Sequence, residues 1–244
     1  MKDGLFTITE NIPLTADVYR MRLLGDTSAI VRPGQFVNIR IDGLYLRRPL
    51  SVCDLDGEEL TVIYRNVGAG TARMSTMDAG GKLQVMTGLG NGFDISRSGD
   101  RPLLIGGGSG VPPLYLLAKR LVSEGRNVNA VLGFNSSGEV FYEDEFIRLG
   151  CTVTVTTADG SRGVKGMVTD VLIPGCTFVY TCGPEAMLKA VHAKYRCPGQ
   201  FSFDRRMGCG FGACMGCTCR TVTGGKRICR EGPVLDREEI IWED

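Results

Sequence analysis

The sequence predicts an antiparallel β-barrel, then a doubly wound α/β domain with a parallel sheet, then a small C-terminal cysteine-rich module. Three observations predict this fold class. Short apolar runs alternate with turn residues up to about residue 98, a repeat of strand, glycine loop and helix begins at Arg101, and five cysteines crowd residues 209 to 229. We place the three segments at residues 1–98, 99–198 and 199–244.

The first segment contains four runs with the length and alternation of barrel strands, at residues 18–23, 35–41, 60–65 and 82–86. The motif Arg48-Pro49-Leu50-Ser51 is expected between two strands. Some fifteen residues later follow Ile63-Tyr64-Arg65 and the glycine turn that contains Gly70 and Thr71. These pieces, in this order, suit a flavin dinucleotide. Arginines can neutralise its pyrophosphate, glycines let backbone amides approach it, and the Ser51 hydroxyl can reach the isoalloxazine edge near N5.

The second segment reads as alternating strands and helices of a parallel sheet. The expected strands are 103–105, 128–134, 152–157 and 177–181. The expected helices are 113–124, 143–149, 168–173 and one from Pro184. The third segment is rich in glycine and too short for an apolar core of its own, so we expect a metal to organise it.

Two glycine loops in the second segment predict a dinucleotide site. Gly106-Gly107-Gly108-Ser109-Gly110 joins a buried strand to a helix, where a pyrophosphate meets amide hydrogens. Val111 replaces the third glycine of the Rossmann fingerprint, and the lysine of an ATP-binding loop is absent. Cys182-Gly183-Pro184 forms the second loop. Cys182 is either a residue beside the nicotinamide or a small buried strand residue, and the sequence leaves both interpretations open.

The residues after the second strand of this segment favour NAD over NADP. That strand is followed by Asn135, and no arginine follows it to receive a 2′-phosphate.

Four cysteines have the spacing of a [2Fe-2S] site. Cys209, Cys214 and Cys217 are arranged as C-x4-C-x2-C, and Cys229 follows after eleven residues. Glycines inside the loop permit a close wrap around a cluster. Zinc is the alternative, although its sites favour two C-x2-C-like pairs. Cys219 is a second candidate for the fourth ligand, and we select Cys229.

Composition excludes several classes of function. The 28 basic and 27 acidic side chains nearly cancel, which argues against nucleic-acid or membrane binding driven by charge. The sequence has no long apolar run and no signal peptide at its start, so we expect a cytoplasmic protein with reduced thiols. No His, Glu or Lys constellation is arranged to abstract a proton from carbon, and we therefore assign no catalytic residue.

The three segments together resemble the ferredoxin-reductase superfamily, and most closely the electron-transfer subunits of NAD-dependent (class 1B) dihydroorotate dehydrogenases. The likeness is carried by Arg47-Arg48-Pro49-Leu50-Ser51, Cys182-Gly183-Pro184-Glu185-Ala186-Met187, the run from Asp204 to Cys214, and Cys229-Arg230-Glu231-Gly232-Pro233-Val234. Asn135 departs from the family, in which a basic residue is common at that position.

The resemblance implies FAD, a [2Fe-2S] cluster and NAD, and an FMN-containing catalytic partner in a heterotetramer of two subunits of each kind. Electrons would pass from dihydroorotate through partner FMN, the cluster and FAD to NAD in pyrimidine biosynthesis. A reductase subunit of a ferredoxin oxidoreductase or hydrogenase is the alternative enzyme. A zinc-stabilised flavoprotein that binds or senses without turnover is the alternative of another class.

Overall fold

A closed barrel of six antiparallel strands forms the first part of the computed structural model, which describes residues 1–242. Residues 243 and 244, the end of the predicted module, lie outside the described residues. The strands follow the order β1-β2-β5-β4-β3-β6 around the barrel. They are β1 (Lys2–Pro13), β2 (Val18–Leu24), β3 (Phe36–Arg40), β4 (Arg48–Asp56), β5 (Glu59–Arg65) and β6 (Lys82–Leu89), with helix α1 (Ala69–Ser75) between β5 and β6.

Two barrel strands differ from the sequence expectation. β1 was not predicted, because most of its side chains are polar and a register shift between Ile8 and Glu10 interrupts its alternation. The motif from Arg48 to Ser51 was expected between strands, and this was wrong, since these residues form the first half of β4. They pair with β3 within the barrel wall. This pairing holds the motif on a rigid surface.

Successive side chains of β3 and β4 point alternately into the barrel and out of it, so these strands have an inner and an outer face. Val37 and Ile39 point into the apolar barrel interior. Their neighbours Phe36 and Asn38 lie on the outer face, opposite Ser51 and Pro49 respectively. Because directly opposed residues of antiparallel strands point to the same side, these four residues share one outer surface.

A seven-stranded sheet forms the second part of the structure, in the order β10-β9-β8-β7-β11-β12-β15. Its strands are parallel except at the β12–β15 edge, where the pairing is antiparallel. The strands are β7 (Pro102–Gly107), β8 (Asn129–Phe134), β9 (Thr152–Thr157), β10 (Val164–Lys165), β11 (Phe178–Cys182), β12 (Gly199–Ser202) and β15 (Val234–Asp236). The helices are α2 (Pro112–Ser123), α3 (Glu143–Leu149) and α4 (Glu185–Lys194).

This sheet confirms the predicted strands and three of the four predicted helices. The helix expected at 168–173 is only a 3₁₀ turn, Val168–Asp170. β7 lies between β8 and β11, so the chain order reverses beside β7, and the carboxyl ends of these strands flank a crevice of the kind that binds dinucleotides.

The cysteine-rich segment is attached to the sheet and is not held by metal alone, contrary to the sequence expectation. It contributes β12 and β15, and a hairpin of β13 (Thr218–Thr221) and β14 (Gly224–Arg227) lies between them. Phe201, Ile228 and Leu235 are buried in one core with Leu103 and Val179 of the sheet. The domain boundaries at residues 98 and 198 stay predictions.

Within residues 1–242, every helix falls short of the length and apolar character needed to span a membrane.

Candidate functional site

Arg48 and the start of α1 meet at the outer edge of the barrel. A Cβ atom placed on Gly70 would lie 2.0 Å from the Arg48 Nε, so only glycine leaves room for the guanidinium. Arg48 donates a hydrogen bond to the Leu46 carbonyl. The Thr71 hydroxyl accepts hydrogen bonds from the amides of Val67 and Gly68, at 3.0 Å and 3.2 Å, and so shapes the turn. The structure therefore brings together the arginine and glycine that the sequence assigned to a pyrophosphate.

The three predicted residues of β5 have separate environments. Tyr64 belongs to the barrel core, where its ring stacks on Tyr19 and its hydroxyl donates to Asn11 Oδ1 at 2.9 Å. Burial raises the Tyr64 pKa to about 12. Ile63 is buried in the core between barrel and sheet. Of the three residues, Arg65 is the one whose side chain reaches the loop after β8, where it pairs with Glu139.

Arg65 connects the barrel to the loop after β8. Its guanidinium forms ion pairs at 3.2 Å with both Asp17 and Glu139. Glu139 in turn accepts two hydrogen bonds from the Asn135 side chain, at 2.9 Å and 3.1 Å. An acidic residue is thus fixed where the adenosine ribose of a dinucleotide lies in doubly wound folds. Sequence reasoning named Asn135 but missed Glu139, which follows four residues later.

An arginine does approach the same loop, from the next connection of the sheet. Ser161 accepts a hydrogen bond from the Ser137 amide at 2.7 Å and so holds the neighbouring Arg162 nearby. The Arg162 guanidinium is paired with Glu143 at 2.6 Å, and this carboxylate offsets its charge. The preference for NAD stays a prediction.

The two glycine loops are packed directly against each other at the carboxyl ends of β7 and β11. A Cβ atom on Gly110 would lie 2.1 Å from the Cys182 carbonyl oxygen, and one on Gly107 would lie 2.6 Å from the Met187 sulfur. Ser109 belongs to the same turn as Gly108 and Gly110.

Cys182 lies in register with Gly106 on one side and Ser202 on the other. Burial raises the pKa of the Cys182 thiol to about 12, so it stays a neutral thiol at physiological pH. The structure thus places Cys182 at the crevice end of β11, and both sequence interpretations of it remain compatible with this position.

The four predicted cysteine ligands form two pairs. The Cys209 sulfur accepts hydrogen bonds from the amides of Ala213 and Cys214, at 3.2 Å and 3.4 Å, and the Cys209 amide faces the Cys214 sulfur at 3.5 Å. In the second pair the Cys229 amide donates to the Cys217 sulfur at 3.4 Å. The first pair lies at the surface and the second is buried.

The environments of the pairs differ electrostatically. Burial raises the Cys209 pKa, but amide hydrogens of the loop outweigh it and bring that pKa down to about 6. Burial and the neighbouring Cys217 thiol raise the pKa of Cys229 to about 12. An anionic sulfur is therefore favoured in the outer pair even before a metal is considered.

This donor set fits a [2Fe-2S] cluster better than zinc. A structural zinc needs four ligands converging on one point, whereas a two-iron cluster needs two thiolates on each iron. Two cysteine pairs linked by one loop therefore suit two irons. Cys219 lies next to this site on β13, packed against the same core as Cys217 and Cys229.

Two asparagines that the sequence analysis missed hold the cysteine-rich segment against the barrel. Asn38 donates to the Cys209 carbonyl at 3.1 Å, and Asn91 donates to the carbonyls of Glu231 and Val234. A Cβ atom on Gly210 would lie 2.4 Å from Asn38 Nδ2, and its φ of +77° favours glycine. The contact between Asn38 and Cys209 spans 171 residues of sequence, so no local pattern could have revealed it.

Two protein-family models match the chain in these regions. The oxidoreductase NAD-binding domain covers residues 104–193, and the iron-sulfur cluster binding domain of dihydroorotate dehydrogenase B covers residues 204–241. The fold and these two domains define an oxidoreductase of the ferredoxin-reductase class, with a barrel, an NAD-binding domain and an iron–sulfur domain.

Full-length relatives give the particular family. The dihydroorotate dehydrogenase B (NAD(+)) electron transfer subunit of Shouchella clausii is 43% identical, over 98% of each chain. That of Fusobacterium nucleatum is 45% identical, over 97% of this chain and 98% of its own. The chain belongs to the family of electron transfer subunits of dihydroorotate dehydrogenase B.

Solved structures agree with the fold. A structure reported for an NADH-dependent reduced ferredoxin-NADP oxidoreductase aligns with a TM-score of 0.88 and 31% identity, over 98% of this chain and 90% of its own. A ferredoxin NADP+ reductase from Neisseria gonorrhoeae, with bound FAD and NADP, aligns with a TM-score of 0.69 at 17% identity, over 80% of this chain and 90% of its own. The predicted fold class is confirmed.

Proposed function

We propose that this chain carries electrons between the FMN of a dihydroorotate-oxidising partner and NAD, through a [2Fe-2S] cluster and FAD, in pyrimidine biosynthesis. The observation that carries the proposal is the arrangement of the cysteines as two pairs within the stretch that matches the iron–sulfur domain of dihydroorotate dehydrogenase B. A bound flavin supplies the step between a two-electron hydride carrier and a one-electron cluster.

The proposed binding residues occupy three places on the structure. FAD lies along the outer face of the barrel, where the Arg48 charge and the tight turn at Gly70 accommodate its pyrophosphate. NAD lies across the loops after β7 and β11, and the cysteine pairs hold the cluster. The set is Arg48, Pro49, Leu50, Ser51, Ile63, Tyr64, Arg65, Gly70 and Thr71 for FAD; Gly106, Gly107, Gly108, Ser109, Gly110, Cys182, Gly183 and Pro184 for NAD; and Cys209, Cys214, Cys217 and Cys229 for iron.

The two cysteine pairs lie in different surroundings, one buried and one at the surface. Cys217 and Cys229 are only 3% and 2% exposed and pack with Phe36 and Leu89 of the barrel. Cys214 is exposed, and on the same loop Phe211 and Met215 are 39% and 55% exposed. The inner pair thus packs toward the barrel, and Cys214 of the outer pair lies at a surface that a second protein can cover.

The proposed partner is the FMN-containing dihydroorotate dehydrogenase catalytic subunit, with two subunits of each kind in a heterotetramer. The family name supports a separate catalytic subunit, since the relatives are named as electron transfer subunits. Apolar side chains exposed beside a cluster, such as Met215, suit a protein interface. Within residues 1–242 no cysteine is joined in a disulfide, which suits the proposed location in the cytoplasm.

Reconstitution tests this proposal. The isolated chain is expected to contain flavin and acid-labile sulfide, to reduce artificial acceptors with NADH, and to produce no NADH from dihydroorotate. Adding the FMN subunit from the same organism should produce dihydroorotate-dependent NAD reduction. Stoichiometric zinc without sulfide would contradict the iron–sulfur assignment and favour a zinc-stabilised flavoprotein without turnover.

A reductase subunit of a ferredoxin oxidoreductase is the second candidate, because the structure reported for an NADH-dependent ferredoxin-NADP oxidoreductase aligns over nearly the whole chain. Activity restored by ferredoxin or by a ferredoxin-linked subunit, and not by the FMN subunit, would replace the pyrimidine assignment and leave the flavin and cluster assignments in place.

A further inference from the structure

Asn38 occupies an unusual position between the barrel and the cysteine loop. It lies on the outer face of β3, the residue is only 1% exposed, and its side-chain nitrogen donates to the Cys209 carbonyl at 3.1 Å. Because a backbone carbonyl can only accept, the amide group must turn its nitrogen to Cys209 and its oxygen away from that carbonyl. The orientation of the side chain is therefore fixed by chemistry.

The Asn38 side-chain oxygen is buried and has no hydrogen-bond partner among residues 1–242. A buried acceptor without a partner loses its water without replacement, and native proteins rarely leave one in that state. Gly210 lies on the nitrogen side of the same amide, where a Cβ atom would be 2.4 Å from Asn38 Nδ2, and so leaves the oxygen without a partner. This oxygen therefore needs a hydrogen-bond donor that residues 1–242 do not provide.

Asn91 provides a comparison, because it also binds the cysteine-rich segment, and both its side-chain nitrogen and its side-chain oxygen form hydrogen bonds. Its nitrogen donates to the Glu231 and Val234 carbonyls, at 3.0 Å and 2.7 Å, and its oxygen accepts from the Val234 amide at 3.1 Å. Attaching the cysteine-rich segment to the barrel therefore does not require an unpaired oxygen. The unpaired oxygen of Asn38 has a different explanation.

The position of Asn38 indicates the donor. Asn38 lies directly opposite Pro49, on the outer surface that also carries Ser51, where the flavin ring is placed by the proposed function. The oxygen can only accept, so its partner must offer N–H or O–H, and the isoalloxazine ring offers N–H. We propose that Asn38 accepts a hydrogen bond from the flavin ring while it donates to the backbone of Cys209. This inference rests on the proposed function.

Asn38 is then a positioning residue shared by two redox groups. One side chain joins the flavin surface to the backbone of the first cluster ligand, so the separation between flavin and cluster is fixed by a single amide. A change at Asn38 should therefore alter flavin properties as well as cluster retention, which loosening the loop alone would not do.

The test compares three variants of the full chain: Asn38→Leu, Asn38→Asp and, as the matched control, Asn91→Leu. The measurements are the FAD dissociation constant of the deflavinated protein, the flavin midpoint potential, and iron per chain. Asn38→Leu is expected to weaken FAD binding about tenfold, equal to about 1.4 kcal/mol, and to shift the flavin potential. Asn91→Leu is expected to lose iron while FAD binding changes less than twofold.

Asn38→Asp keeps an oxygen toward the ring and loses the donor to Cys209. FAD affinity is expected to stay within about threefold, while the flavin potential falls because a carboxylate disfavours added electrons. Should Asn38→Leu fail to fold, as judged by circular dichroism, this variant carries the test.

The inference is overturned if flavin affinity and potential match wild type in the folded Asn38 variants and only iron is lost. The proposed function fails separately, if the wild-type chain itself binds no flavin.

Discussion

Gly110→Ala should damage the NAD site by forcing its two loops apart. The new Cβ would lie 2.1 Å from the carbonyl oxygen and 2.3 Å from the carbonyl carbon of Cys182, and 2.6 Å from the Gly183 nitrogen. All three are backbone atoms, so no side-chain rotation relieves the overlap. The loops must separate until these distances approach the 3.4 Å of an ordinary contact.

A displacement of this size has a calculable effect. Overpacking a well-packed site costs about 1–3 kcal/mol, and a shift of about 1 Å in a binding site lowers efficiency by about a hundredfold. We expect kcat/KM for flavin reduction by NADH to fall between about tenfold and a hundredfold. The flavin content should be unchanged, because the backbone atoms that the new Cβ overlaps belong to Cys182 and Gly183 and not to a residue proposed to bind FAD.

Stopped-flow reduction of the bound flavin at several NADH concentrations measures the effect. Gly4→Ala is the control, since Gly4 lies in β1 of the barrel and its Cβ would meet only the Phe6 ring, at 3.8 Å. A Gly110→Ala protein that reduces its flavin within twofold of wild type would refute the reasoning that contact between the two glycine loops builds the NAD site.

Three further outcomes are expected. Cys214→Ser should lose iron and electron delivery to the partner while it keeps FAD and NADH-driven flavin reduction, as iron assay and absorption would record; simultaneous loss of flavin would contradict separate sites. NADH should reduce the flavin at least about tenfold more efficiently than NADPH, a ratio worth roughly 1.4 kcal/mol, and equal stopped-flow efficiencies would contradict this. Glu139→Gln should lower the ratio of NADH to NADPH efficiency, because it removes the negative charge, held by Asn135 and Arg65, that would repel a 2′-phosphate. An unchanged ratio would mean that the adenosine binds elsewhere.

Local sequence signals were sufficient for the parts of the fold that depend on them. β7, β8 and β11 of the parallel sheet are short, mostly apolar runs, and α2 begins at consecutive prolines after a glycine turn, so these elements were predictable. β1 was missed because only Phe6 and Ile8 are buried within its twelve residues. The first half of β4 was missed because its residues are all half-buried and show no alternation in exposure.

The candidate site was predictable to the extent that its residues are adjacent in sequence. Cysteine spacing predicted the four ligands, but their division into pairs depends on which amides face which sulfurs. Arg162 shows more clearly that contacts between distant parts of the sequence could not be predicted. No arginine directly follows the second strand of the sheet in the sequence, whereas the fold brings Arg162 to that loop from the connection after β9, through the hydrogen bond of Ser161.

The antiparallel pairing of β15 with β12 determines how this chain could be recombined with others. A cluster module fused to a reductase is often treated as an independent domain that can be exchanged at its linker. In this chain the cluster loop instead leaves the sheet after Ser202 and returns to the edge of the sheet at Val234. A chimaera joined at residue 199 would therefore remove two strands of the sheet and expose the edge of β11. A graft should instead replace only the residues between Phe203 and Pro233. A foreign cluster loop inserted there would keep β12 and β15 on either side of it.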